Sequence, residues 1–434
     1  MTPTPRLVSL FAVLLGLAVV TAVGRLPADL WQVLLAASLS IAAADFALAL
    51  REPALTSRRD LPQSLPLGVY TRASFRVSNA GRRRLAVEAC DHFPPAFEAT
   101  GLPQSFTVQP GGWTEVRYRL RPEERGEHRF GRIQLQVRSP MGLWRRNQFA
   151  DEPATVRVYP NFAAVSKYAL LATEERLSQI GVLKQRRRGQ GSEFHQLREY
   201  RQGDALRQVD WRASARVHKL ISREYQDERD QRVVFLLDCG RRMRARDAEL
   251  SHFDQALNAV LLLAYVALRK GDSVGVATFG GEDRWQAPAK GQITLNRILN
   301  LLYDLQPQTV VPDYRRAAVE LVARQRKRAL VIVVTNLRDE DSEDLQAATN
   351  LLKRRHLVLV ASLREAAVDE AIEGDVADFG DALRVAAAHD YLRHREKSLE
   401  LLRAMGIASV DVQPKALSLE LVNTYLAIKA RGAL

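Results

Sequence analysis

The chain has 434 residues, 47% of them apolar and 26% charged, a composition that excludes a disordered polymer and leaves length for two or three cores. Its formal net charge of +13 fits an anionic membrane surface, nucleic acid or an acidic protein, and charge alone does not choose among them. The two cysteines, Cys90 and Cys239, fall in different segments, which excludes a disulfide framework or a cysteine-based zinc site.

The first element is an uncharged stretch at 7–23, "LVSLFAVLLGLAVVTAV", at the short end of a membrane span. A second stretch at 30–50 has full spanning length, and the six-residue link forces an antiparallel hairpin if both span. Arg6 precedes the first stretch, Arg51, Arg58 and Arg59 follow the second, and Arg25 is the only cation between them. That bias places both ends of the hairpin, and the chain beyond it, in the cytoplasm. A competing reading makes the first stretch a signal peptide cleaved near "TAVG"; the second would still span, and the bulk would still be cytoplasmic. Asp45 stands about 9 Å along the helix from Arg51, at 1.5 Å per residue. An intramembrane carboxyl group is a functional hypothesis by default, but the expected reading here is a snorkelling or protonated residue near the interface.

From 59 to 160 the pattern changes to short period-two runs, among them "VYTRASFRVSN", "RRLAVEACD", "SFTVQPGGWTEVRYRL", "GEHRFGRIQLQV" and "ATVRVYP". Turns at "NAG", "PGG" and "ERGEH" separate them, and a small immunoglobulin-like β-sandwich is expected. Its many exposed arginines fit a module near an anionic leaflet.

Residues 161–231 form a linking region, with a short helix expected in "SKYALLATEERLSQIG". The basic run at 184–188 beside Gly189 and Gly191 lacks the spacing of a phosphate loop and follows no strand, so a solvated loop is expected. From 232 to 434, apolar strands at 233–238, 273–279, 330–336, 357–363 and 409–413 alternate with amphipathic helices. The helices are expected at 249–269, 292–305, 314–326, 342–355, 382–405 and 417–430. This alternation indicates a mostly parallel, doubly wound sheet.

Ligands of such sheets bind beyond the carboxyl ends of the strands, which places Asp238 of "LLDCGRRM" at the informative edge. That passage, with the long helix and "GDSVGVATF" after it, resembles a von Willebrand factor A domain. The resemblance implies a cation site built from an Asp-x-Ser-x-Ser motif with a Thr and an Asp from other loops. Here Asp238 is kept, but Gly240 and Arg242 replace the serines and Asn336 replaces the later Asp. No metal is therefore expected, and Arg242 or Arg241 is expected to fill the cation's place and pair with Asp238. The alternative is a weak magnesium site using Asp238, Thr278 or Thr335, and water.

The densest passage is "GSEFHQLREYRQGDALRQVDWRASAR" at 191–216, where Glu199, Asp204 and Asp210 interleave with Arg198, Arg201, Arg207, Arg212 and Arg216. Arg matches carboxylates bidentately, Gly203 and Asp204 suit a tight turn, and Tyr200 and Trp211 are large anchors with a polar tip. These are the ingredients of a structural lock whose outer face docks a partner. A hydrolase would need His195 with Ser192 or Asp210, but no strand-turn-helix elbow surrounds Ser192 or Ser214. Cys239 beside Arg241 and Arg242 reads as a small apolar residue. Nucleic acid is disfavoured, because the acidic residues of the same passage repel a phosphate backbone.

The pieces "EFHQLREY", "VDW", "ASAR", "SPMGLW", "VYPNF" and "LVNTYLAIKARGAL" resemble the bacterial family called domain of unknown function 58. The resemblance implies a membrane scaffold working with a MoxR-type AAA+ ATPase on membrane or envelope complexes, with no cofactor and no bond chemistry of its own. The motif residues expected to carry it are Arg198, Tyr200, Gly203, Asp204, Arg207, Asp210, Trp211 and Arg216.

Overall fold

Prolines set where the first two helices begin. Helix α1 (Pro5–Ala22) carries Pro5 in its first turn and α2 (Ala28–Ala49) is preceded by Pro27, positions where a fixed φ and a missing N–H are tolerated. Each therefore starts two residues before the apolar stretch expected from the sequence. Both are long and apolar enough to cross a membrane. The structure is a computed structural model that describes residues 1–24, 27–50, 55–150, 153–161, 193–201, 209–226, 231–247 and 250–432. Arg25, Arg51, the helix expected at 166–181 and the glycine-flanked basic run at 184–188 lie outside the described residues. Two compact units, Met1–Val158 and Tyr159–Leu434, divide the chain.

In the first unit the apolar helices are followed by a mostly-β region. Its strands are β1 (Thr2–Pro3), β2 (Leu55–Asp60), β3 (Ser64–Pro66), β4 (Thr71–Asn79), β5 (Leu85–Asp91), β6 (Phe97–Thr100), β7 (Gln104–Val108), β8 (Trp113–Pro122), β9 (Gly126–Phe130), β10 (Ile133–Arg138), β11 (Trp144–Ala150) and β12 (Ala154–Tyr159). They form sheets ordered β2-β4-β8-β6, β1-β11-β10-β5-β7 and β3-β12-β9. Alternation puts Ala73, Phe75 and Val77 of β4, and Ile133, Leu135 and Val137 of β10, into the core. Between the two larger sheets Arg59 of β2 grips Asp91 of β5, with Nη2 at 2.6 Å and Nε at 3.0 Å from its oxygens. Tyr118 of β8 donates its hydroxyl to the same carboxylate at 2.5 Å. Both ions are essentially unexposed, so the pair is tolerable only because it is bidentate and further hydrogen-bonded.

One turn receives both ends of the helical hairpin. Strand β1 pairs with β11, and the Thr4 hydroxyl donates to the carbonyls of Gly142 and Leu143. From α2, the buried Asp45 accepts from Ser139 Oγ at 2.5 Å and from the backbone N–H groups of Met141 and Leu143 at 3.0 and 3.1 Å. Trp144 adds an indole N–H to the Ala42 carbonyl and an edge contact with Phe46. Asp45 is thus buried against this turn and does not snorkel to solvent. Ser139 and the backbone of the "SPMGLW" turn, invisible as partners in the sequence, supply its hydrogen bonds.

The second unit holds strands β13 (Glu193–Glu199), β14 (Ile221–Gln226), β15 (Arg232–Asp238), β16 (Arg246–Asp247), β17 (Leu250–Ser251), β18 (Ser273–Phe279), β19 (Trp285–Ala289), β20 (Leu330–Thr335), β21 (Leu357–Leu363) and β22 (Ala408–Val412). Its six-stranded sheet runs β19-β18-β15-β20-β21-β22; β18 to β22 are parallel apart from the antiparallel edge strand β19. Val233, Phe235 and Leu237 pack one face under the helices His252–Arg269, Gln292–Leu302 and Pro414–Ala430. Val234 and Leu236 pack the other face under Tyr314–Arg324, Ser342–Lys353 and Phe379–Ala404. Burial on both faces explains the unbroken apolar runs of the central strands. Edge strand β19, half-exposed and carrying Pro288, has no such run and was not expected. Ser251 and Asp254 close a capping box that starts the first long helix at His252, three residues after its expected start. The terminal helix is tied down by Tyr425 and by Lys429, whose Nζ lies 2.6 Å from Asp272 before β18.

Candidate functional site

The strand order reverses between β18 and β20 on either side of β15, so the switch point of this sheet lies at the end of β15. Asp238 stands there, fully buried. Its Oδ1 accepts from the Gly240 N–H at 2.7 Å and its Oδ2 from the Thr335 hydroxyl at 2.6 Å. The Tyr314 hydroxyl lies 2.8 Å from the same Thr335 oxygen. Burial pushes the Asp238 carboxyl up to about 6, more than the Thr335 and Gly240 hydrogen bonds pull it down. Burial, together with the Asp238 charge, also holds the Tyr314 hydroxyl well above its ordinary value.

Space directly beside Gly240 and Gly280 is already filled. A Cβ added at Gly240 would lie 2.9 Å from Pro312 Cδ and 3.0 Å from both the Val310 carbonyl and Asp238 Oδ1. Gly280 holds a φ of +74° with Asp238 Oδ1 equally close. The serine of the metal motif has no room at 240, which is a physical reason for glycine there.

Arg242 is buried at this edge, and its partner differs from the Asp238 expected for Arg242 or Arg241. Its guanidinium pairs with Asp341 through Nη1 and with Glu340 through Nη2 at 2.8 Å, both on the turn after β20. Arg241 lies 3.5 Å from Glu340. The expected Asp238–Arg242 pair does not form, because the Arg242 guanidinium is taken up by Asp341 and Glu340; Arg242 acts on Asp238 only through its charge. Asn336 is buried with Nδ2 donating to Glu365 at 3.1 Å, where an aspartate would face a like charge. Thr278, one of the oxygens considered for magnesium, is committed to the β18–β19 turn, donating to the Glu282 carbonyl and accepting from the Arg284 N–H. Among the described residues, no group of three His, Cys, Asp or Glu side chains is placed to hold a metal ion.

Beside this edge lies a network that sequence reasoning missed. Arg395, buried inside the helix Phe379–Ala404, chelates Asp411 of β22, with Nη2 at 2.7 Å and Nε at 3.1 Å. Its Nη2 also donates to Ser362 Oγ and the Leu363 carbonyl at 2.7 Å, and its Nη1 to the Leu337 carbonyl. One guanidinium thus ties the ends of β20 and β21 to β22. The available signal was position: Arg395 falls on the stripe of Ala388, Leu399 and Leu402, the buried face of an otherwise charged helix.

The described residues of the motif passage lie on β13, which pairs with β14 beyond the passage, and on the helix Trp211–Val217. Asp210 caps that helix, accepting from the N–H groups of Arg212 and Ala213 at 3.1 and 3.0 Å. Its other oxygen accepts from Arg223 at 2.9 Å, an arginine outside the expected set. The Ala213 N–H and Arg223 hold its carboxyl below the usual range. Tyr200 is half-buried and its backbone N–H bonds the Leu220 carbonyl, while Arg198 donates to the Glu199 carbonyl. Arg216 is exposed in the last helical turn. Trp211, expected as an anchor of the lock, is 66% exposed. Gly203, Asp204 and Arg207 lie outside the described residues, as do Ser192 and the side chain of His195. Ser214 is buried and accepts from the Ile221 N–H at 2.8 Å, and Cys239 is fully buried.

Residues 196–397 match the family model described as "Protein of unknown function DUF58". The "Uncharacterized protein YeaD" of Bacillus subtilis (strain 168) is 24% identical over 264 residues, covering 59% of this chain and 61% of the relative. The chain thus spans about three fifths of that curated relative's length. Among solved structures, PapD-like domain 7 of human CEP192 is 12% identical at a TM-score of 0.19, covering 24% of this chain and 84% of that one. Native alpha-2-macroglobulin from Escherichia coli is 14% identical at 0.22, covering 25% and 17%. A FixG-related protein from Vibrio parahaemolyticus is 14% identical at 0.18, covering 25% and 97%.

Proposed function

Because residues 196–397 belong to the DUF58 family, we propose that the chain is a membrane-anchored docking scaffold for a MoxR-type AAA+ ATPase, with its folded units in the cytoplasm. On this reading the mostly-β region is an immunoglobulin-like sandwich and the α/β region is von Willebrand A-like. The observation that carries the proposal is the exposed Trp211 on its capped helix, within the family-matched residues. Leu197, Val217 and Leu220 of the same hairpin are also about half exposed or more. Large apolar side chains, tryptophan above all, are the residues that dominate interface energies when a partner covers them. A second support is chemical. Asp238 is engaged by Gly240 and Thr335 and Arg242 by Asp341 and Glu340, so these two groups are held rigidly inside the fold.

The test is purification of the tagged full chain from its native membrane in mild detergent, with and without ATP, and mass spectrometry of what is retained. Recovery of an AAA+ ATPase that varies with nucleotide, and is lost in Trp211→Ala, is the expected result. Recovery undiminished in that variant, or no such ATPase with the unaltered chain, overturns the proposal.

A further inference from the structure

At the end of α2, the first unit holds a cavity of about 570 Å³, within the size range of small-molecule sites. Its apolar wall comes from Leu48 of α2, Leu85, Val137 and Pro140. Its polar wall is cationic, with Arg82, Arg83 and Arg84 on the β4–β5 turn and Arg138 at the end of β10. None of the described residues lining the cavity is acidic. These four arginines are exposed, and none of them forms an ion pair with a described carboxylate. The turn that presents three of them is built rather than loose. The buried Asn79 donates Nδ2 to the Arg83 carbonyl at 2.7 Å and accepts from the Gly81 N–H at 2.9 Å. Arg146, also lining the cavity, spends Nη1 on the Leu50 carbonyl at 2.7 Å, which fixes the helix end against the site.

We propose that this cavity binds the phosphate of an anionic phospholipid, with the arginines holding the headgroup and the apolar wall receiving the start of the acyl chains. The proposal rests on the reading that α1 and α2 span a membrane. If they do, the last turn of α2 lies at headgroup depth, and the cavity opens where such lipids present their phosphates. Arginine is the side chain suited to this task, since its planar fork meets phosphate oxygens bidentately and stays charged. The mixed lining separates this site from a binding site for a free inorganic anion, for which apolar walls would serve no purpose.

The experiment uses the full chain in detergent micelles, titrated with phosphatidylglycerol or phosphatidylcholine, with retained lipids counted by native mass spectrometry. Phosphatidylglycerol is expected to be retained and phosphatidylcholine not, with retention about tenfold weaker in the triple variant Arg82→Gln, Arg83→Gln, Arg84→Gln. Asn79→Ala, which leaves every arginine in place but removes the support of the turn, is expected to weaken it as well. Equal retention of both lipids, or retention unchanged in the triple variant, overturns the proposal. So does displacement of phosphatidylglycerol by millimolar inorganic phosphate, which would assign the cavity to a soluble anion. Alkaline carbonate extraction of the native membranes reports separately on anchoring. Release of the chain there would refute the membrane reading while leaving the micelle titration to decide the cavity.

Discussion

Ser139 donates its hydroxyl to the Asp45 carboxyl at 2.5 Å, joining the last turns of an apolar helix to a turn 94 residues later. The two N–H groups of Met141 and Leu143 complete the set, so a carboxyl group that looks misplaced inside a candidate span is the socket of the adjoining β region. Asp45→Ala would leave three donors, among them the buried Ser139 hydroxyl, without their acceptor, and the expected loss is roughly 2–4 kcal/mol. Asp45→Asn keeps one acceptor oxygen and is expected to lose less. Thermal melting of the full chain in detergent reads the order, and an Asp45→Ala protein that melts with the unaltered one would show that the socket carries no stability.

That contact marks where sequence reasoning stops. Strands β15, β18, β20 and β21 were legible because burial on both faces forces continuous apolar runs, and short runs of that kind between amphipathic helices fit little but the centre of a parallel sheet. Partners were not legible. Asp238 and Arg242 are four residues apart and of opposite charge, yet Asp238 bonds Thr335 and Arg242 bonds Asp341, each nearly a hundred residues away. Local charge pattern constrains which groups need a partner, and only the fold decides which one they meet. The same holds for Asp210, whose helix cap and whose partner Arg223 both come from the fold.

Arg395 and Asp411 form a buried pair with side chains 2% and 11% exposed. Removing one member strands the other, so Arg395→Ala is expected to cost about 3–5 kcal/mol. The double variant Arg395→Met, Asp411→Leu removes both charges at once and is expected to recover part of that loss. Urea unfolding of the unaltered protein, Arg395→Met, Asp411→Leu and the double variant measures the coupling, and a double variant no better than Arg395→Met would contradict the paired-desolvation account.

Asp238 gives stability a pH dependence of definite sign. Its folded-state value of about 6 lies above the 3.8 of an ordinary aspartate, so its proton is held more tightly in the native protein. The contribution is present below about pH 4 and is lost as pH rises through about 6, by up to about 3 kcal/mol for two units. Asp238→Asn cannot titrate. The stability difference between unaltered protein and this variant should therefore fall between about pH 4 and pH 7, and the subtraction cancels the other carboxylates. A difference flat across that range would mean that the Asp238 carboxyl is not raised by burial.

Trp211 and Asp210 are adjacent and separate two roles in the motif. Trp211 is 66% exposed, so Trp211→Ala should change stability by no more than about 0.5 kcal/mol while abolishing recovery of the proposed AAA+ ATPase partner. Asp210→Ala removes the acceptor for the Arg212 and Ala213 N–H groups and the counter-ion of Arg223, so it should loosen the short helix and weaken partner recovery together. Asp210→Asn restores a capping oxygen without the charge, and recovery should return in part. Hydrogen exchange at Ala213 and Ser214 reports the helix directly, and nucleotide-dependent co-purification reports the docking. If Trp211→Ala instead raises exchange along this helix as much as Asp210→Ala does, the tryptophan supports the hairpin itself and the docking face must be sought elsewhere.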